Sequence, residues 1–218
     1  MHYTKNSIVS YQSGVELLLR NSLHEDSIKR TMNQYGYNEK ELNYIYGLNK
    51  ELTELVDASE AAKNRKRLVY RDKSNLLTRI KKEYMRYLKL ARIALAEDLK
   101  AGEALMLNGA RARTINEFIF QMNTFVSNLL KNEDWLNALK VYNIQTENIQ
   151  ALEEQLKELG HLSDKCLEAQ GEVRRITNLK KKMLINIQGY VSDYVKVVRI
   201  AFEEKPGLLV SLGIKAKD

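Results

Sequence analysis

YLKLARIALAE, residues Tyr87 to Glu97, returns as YVKVVRIAFEE at Tyr194 to Glu204, 107 positions later. Tyr, Lys, Arg, Ile, Ala and Glu keep identical places, and the remaining positions mostly exchange one aliphatic for another. Outward from this stretch the same offset of 107 holds without a gap, pairing Ile8 with Ile115, Tyr11 with Phe118, Val15 with Met122, Leu42 with Ile149 and Leu52 with Leu159. The chain therefore reads as two tandem copies, residues 1–108 and 109–218. A repeat sets the architecture before any single element does, because a missed period misreads the fold.

Within each copy the apolar residues recur at intervals of three and four, the mark of amphipathic helices. A first helix starts near Ser7 and Thr114, where Thr114 and Glu117 have capping-box spacing. A short second helix follows Asp26 and Asp134, read as N-caps, and stops at Gly36 and Asn143, two residues that tolerate a left-handed end. A third helix begins at Asn38 and buries Leu42, Ile45, Leu52, Leu55 and Ala62. Asn64 and Gly171, again 107 apart, predict a hairpin turn. A fourth helix then runs from about Lys66 to Asp98 on a stripe of Val69, Leu76, Ile80, Tyr84, Tyr87, Ala91 and Ala94, roughly 45 to 50 Å long. The expected fold is all-α, one or two elongated antiparallel bundles built from the two copies.

Each copy closes on a Leu-rich segment, Glu103 to Leu107 before Asn108-Gly109, and Pro206 to Leu212 before Gly213. The Tyr-x-Lys-x-x-Arg-Ile-Ala helix followed by this segment, with Leu212-Gly213-Ile214 in the second copy, resembles uncharacterised, all-helical, tandemly duplicated bacterial proteins. The first copy departs from it, with Leu105-Met106-Leu107 in that place. The resemblance implies a helical fold with no assigned activity, and it supplies no site residues.

Composition agrees with a helical chain of 218 residues: Pro occurs once and Gly ten times. The single cysteine, Cys166, has no partner for an intramolecular disulfide; its counterpart is Ser59, and both read as small residues at the core edge. No stretch approaches the ~20 apolar residues of a membrane span, and the N-terminus lacks a signal-peptide pattern, so a soluble cytoplasmic protein is expected.

Four constellations bear on function. Glu158 and His161 form Glu-x-x-His, a spacing that places two metal ligands on one helix face. The counterparts are Glu51 and Glu54, and neither His2 nor His24 follows a glutamate at that distance, so no metal and no cofactor is expected. Nucleophile and phosphate-loop motifs are lacking, which argues against an enzyme. Lys63, Arg65, Lys66, Arg67, Arg71 and Lys73 crowd the first predicted turn, and Arg174, Arg175, Lys180, Lys181 and Lys182 follow the second. Cations there oppose a helix macrodipole, so either the helix runs on unbroken or amides and cations together take a polyanion such as nucleic acid. Twelve tyrosines stand against four phenylalanines. Tyr3, Tyr37, Tyr44 and Tyr46 flank predicted faces, and Tyr35, Tyr37, Tyr44 and Tyr46 make a candidate partner surface. The leading expectation is a non-enzymatic interaction or scaffold module for a protein partner or for itself. Polyanion binding through the basic tips comes second, and a metal-carboxylate bundle a distant third. No small-molecule substrate is evident.

Overall fold

A computed structural model describes residues 7–215, so Tyr3 and His2 lie outside the described residues. Among those residues the fold is all-α: α1 Ile8–His24, α2 Asp26–Gln34, α3 Glu39–Ala94, α4 Leu99–Ala104, α5 Ile115–Leu130, α6 Glu133–Lys140, α7 Thr146–Ala201 and α8 Pro206–Ser211. The starts of α5 to α8 each fall 107 residues after those of α1 to α4.

Local chemistry sets the ends. Ser7 and Thr114, the expected starts, cap α1 and α5 by accepting from the amides of Ser10 and Glu117, the second at the spacing read from the sequence. Asn38 Oδ1 accepts from the Glu41 amide at 3.0 Å and starts α3. Asp26 and Asp134 are not the caps expected of them: they lie in the first turns of α2 and α6, where their charge favours the positive helix end, while Glu25 and Asn132 take the cap positions. Gly36 and Asn143 adopt φ of 87° and 59°, and the amides of Tyr37 and Ile144 reach back to the carbonyls of Met32 and Leu139, a left-handed helix end that glycine or asparagine tolerates. Met106 and Gly213 repeat the device at the ends of α4 and α8, with φ of 51° and 69°.

The predicted turn at Asn64 and Gly171 does not form. α3 and α7 are each unbroken over 56 residues and pass straight through both positions. Tolerance of the left-handed region permits a turn without enforcing one. An interior Asn or Gly costs a helix no more than about 1 kcal/mol, and the buried neighbours Ala62, Cys166 and Ile176 hold the backbone on either side. The helices expected to be separate on either side of each position are one helix.

Packing groups the described residues up to Lys63 with those from Gly171 onward in a first unit, and Asn64–Gln170 forms a second. In the first, α1, α2 and α8 close a core around Tyr11, Leu18, Leu19, Ile45, Leu52, Ile187 and Tyr194, between residues 39–63 of α3 and 171–201 of α7. In the second, α4, α5 and α6 do the same around Tyr84, Tyr87, Ala91, Phe125, Leu152 and Leu159. Within each unit α3 and α7 run antiparallel and pack together, as Tyr44 on Tyr190 and Lys180 on Ser59 show in the first, and Tyr70 on Gln170 and Gln155 on Glu83 in the second.

The opening motif now has a physical role. Its tyrosine is a core residue, Tyr87 or Tyr194, about 1% or less exposed. Its arginine holds the closing segment: Arg92 donates to the carbonyls of Leu107 (2.5 Å) and Gly109 (3.2 Å), and Arg199 to that of Lys215 (3.1 Å). Asn128 and Asn21 complete the latch, donating to the carbonyls of Ala104 and Ser211 at the ends of α4 and α8.

Candidate functional site

The two basic clusters lie in mid-helix. With α3 and α7 unbroken, no free amides accompany them, so the anion site built on a helix N-terminus is absent. The cations are partly engaged. Lys63 Nζ pairs with Glu60 at 2.6 Å, Lys66 lies 5.4 Å from the Tyr70 ring centre, Arg71 meets Asp72 at 3.8 Å, and Lys180 donates to Ser59 at 3.4 Å. Arg67, Arg174, Arg175, Lys181 and Lys182 are exposed, and Arg65 is exposed too, with polar interactions of its own.

Of the candidate tyrosine surface, Tyr37 is half-buried, its ring edge-on to Tyr194 at 4.8 Å, and burial raises its hydroxyl pKa above the ordinary 10.0. Tyr46 packs on the first core beneath Lys50. Tyr35 and Tyr44 are each 49% exposed. Tyr44 meets Tyr190 edge-on at 5.7 Å, and a hydrogen bond from that pair holds its hydroxyl above the usual range. Glu158 and His161 are exposed beside the buried Leu159, and the described residues hold no group of three or more potential ligands that could bind a metal. None of the helices, among the described residues, is long and apolar enough to cross a membrane.

A groove that the sequence did not single out opens in the first unit between α3 and α7. It has a volume of about 710 Å³, with Leu55, Ala58, Leu179 and Met183 as its apolar lining, Glu51 and Glu54 on the α3 side, and Lys182 and Asn186 on the α7 side. Seven residues before Glu51 on the same helix face stands Tyr44, so the Tyr44–Tyr190 pair marks the direction in which the face continues. Gly47 and Gly189 lie on that continuation, and open space lies over both. The corresponding face of the second unit carries Glu154, Glu158, His161 and Lys165 on α7, and Asp72, Asn75, Arg79 and Lys82 on α3.

That contrast was the signal available in the sequence. Along the 107-residue offset, Gly47 stands against Glu154, Ala58 against Lys165, Leu179 against Asp72 and Gly189 against Lys82. At these four positions the first unit carries small or apolar residues where the second carries charged ones. Of the candidate tyrosines, Tyr44 lies on the α3 face along which the groove continues, two turns from Glu51.

Comparison of the chain with family models, with curated proteins and with solved structures found no match to any of them.

Proposed function

We propose that this chain is a non-enzymatic helical interaction module, built from two copies of one ancestral unit, and that it engages a protein through the α3/α7 face of the first unit. The carrying observation is the groove itself: an apolar lining between two helices, flanked by charges of opposite sign, where the other unit presents charged side chains. Exposed apolar surface of this kind, rimmed by polar groups, marks association sites.

The test is a photo-crosslinking amino acid placed at Ala58 in the groove and, separately, at Lys165, its counterpart in the second unit. Covalent adducts to a protein at Ala58 and not at Lys165 are expected in cells that produce the chain. Adducts at neither position, or equally at both, sink the reading. Polyanion binding through Arg67, Arg174, Arg175, Lys181 and Lys182 is the second reading, supported by their exposure. Its signature is a steep negative salt slope for nucleic-acid binding that Arg174→Glu with Arg175→Glu abolishes.

A further inference from the structure

Resting on that reading, we infer that the occupant of the groove is a second copy of this chain, docked groove to groove as a twofold dimer. The argument begins from register. In the first unit Lys180 reaches Ser59 and Tyr44 faces Tyr190, so along the antiparallel pair Glu54 and Lys182 stand at one level between these contacts. The carboxylates line one side of the groove and the ammonium the other.

A twofold axis lying along the groove exchanges the two sides. It sets α3 of one copy beside α7 of the other, and Glu54 of each copy opposite Lys182 of its mate. The charge pattern is thus complementary to itself, twice per dimer. Rotation about the perpendicular in-plane axis places carboxylate on carboxylate, so the charges also select the orientation.

Packing agrees with the charges. Two helix pairs facing each other make a four-helix arrangement whose centre is filled by Leu55, Leu179 and Met183 from both copies. Ala58, and Gly47 and Gly189 farther along, leave room for the backbones to approach, the use to which a helix puts residues with little or no side chain. The second unit is poorly suited to pair in this way through its own face, because it places Lys165, Asp72 and Arg79 where the groove has the uncharged Ala58, Leu179 and Asn186, and burying those charges carries a desolvation cost.

The experiment is sedimentation equilibrium of the full chain from about 1 to about 200 µM, where mass action reveals a dimer of micromolar affinity. Wild type is expected to dimerise, and Leu179→Asp, at a position already 42% exposed, to remain monomeric with an unchanged far-UV circular dichroism spectrum. Glu54→Lys and Lys182→Glu are each expected to raise Kd by about tenfold or more, and the double swap to return it to within about threefold of wild type. A wild-type monomer at every concentration overturns the inference, as does a dimer indifferent to Leu179→Asp, or single-swap losses that the double swap does not repair. If the chain is monomeric and Ala58 crosslinks to a different protein, the interaction reading stands and only the choice of occupant fails. A monomer without adducts removes both.

Discussion

The two units place the same backbone elements around their cores and fill equivalent positions with different chemistry. Between α1 and α3 of the first unit, Gln12 Nε2 donates to Thr53 at 3.0 Å, and Asn49 Nδ2 donates to the Gln12 carbonyl at 3.3 Å. The counterparts 107 residues on are Ile119, Leu156 and Gly160, so the second unit has no such network there. The motif tyrosines differ likewise. Tyr194 donates to the buried Ser22 at 2.6 Å, whereas Tyr87 donates to Glu83 at 2.7 Å because the counterpart of Ser22 is Leu129. The first unit is therefore more polar inside and more apolar on its α3/α7 face. The dimer proposed above would account for the second half of that inversion, since a face covered by a partner escapes the requirement to be charged.

The largest expected effect tests whether the cores are equivalent beneath these differences. Leu52 and Leu159 occupy matched sites at 0% and 1% exposure. Truncating either to alanine should cost about 2 to 5 kcal/mol, from lost transfer free energy plus the cavity left behind. Denaturant unfolding read unit by unit, through hydrogen exchange, checks it. Losses of similar size, each confined to the unit that carries the change, support two matched cores. A loss below about 0.5 kcal/mol at either site, the range of a surface substitution, breaks the comparison.

Much of this organisation was legible in the sequence because it rests on local rules. Helical periodicity placed Leu42, Ile45, Leu52, Ile80 and Tyr84 in the core, and the left-handed ends at Gly36 and Asn143 followed from the two residue types that tolerate them. The same rule failed at Asn64 and Gly171, where tolerance of a turn was read as a demand for one. What decides there is tertiary: helix α3 gains buried contacts through Ala62 and Leu76 on both sides of Asn64, and a break would forfeit them. Of the candidate site, the exposed cations were visible, and their opposition to a helix dipole left an unbroken helix as one of two readings, the one the structure takes. The groove escaped notice because its residues fall on two helices more than 120 positions apart in sequence, with Leu55 near the level of Met183 and Ala58 near that of Leu179, a juxtaposition that only the antiparallel register creates.

A mid-sized effect sharpens the polar-core contrast. Asn49 is 5% exposed and its Oδ1 accepts no hydrogen bond, as is true of the Tyr11 hydroxyl, which burial pushes up to about 12. A buried acceptor left unmade costs about 1 to 3 kcal/mol, and replacing the side chain that carries it by an apolar one removes that cost. Transplanting the second unit's residues, Gln12→Ile with Asn49→Leu, should raise the stability of the first unit by about 1 kcal/mol, the gain being limited by the larger leucine side chain. Chemical denaturation measures it. A loss of more than about 1 kcal/mol shows instead that the polar network specifies how α1 docks on α3.

The smallest effect concerns the starts of α4 and α8, where the units use different devices for one task. Asp98 Oδ1 accepts from the Ala101 amide at 3.0 Å and Oδ2 from Trp135 Nε1 at 2.8 Å. Its counterpart is Lys205, which makes no cap bond and leaves α8 to start on Pro206, whose ring fixes the first helical φ. The bond from Ala101, then that from Trp135, holds the Asp98 carboxyl below its usual 3.8. A carboxyl depressed in the folded state contributes stability above its unfolded value, and that contribution is lost as the pH falls through the folded value. Thermal midpoints followed from pH ~7 to pH ~3 should therefore show Asp98→Ala less stable than wild type at neutral pH, with the gap narrowing below pH ~4. Lys205→Asp should supply α8 with the cap it lacks and add to the first unit a pH dependence of the same sign, weaker because the counterpart of Trp135 is the buried Ile28, which donates nothing. Midpoints that stay parallel across the whole range would mean that Asp98 is ionised on equal terms in both states, and that Trp135 rather than charge holds α4 in place.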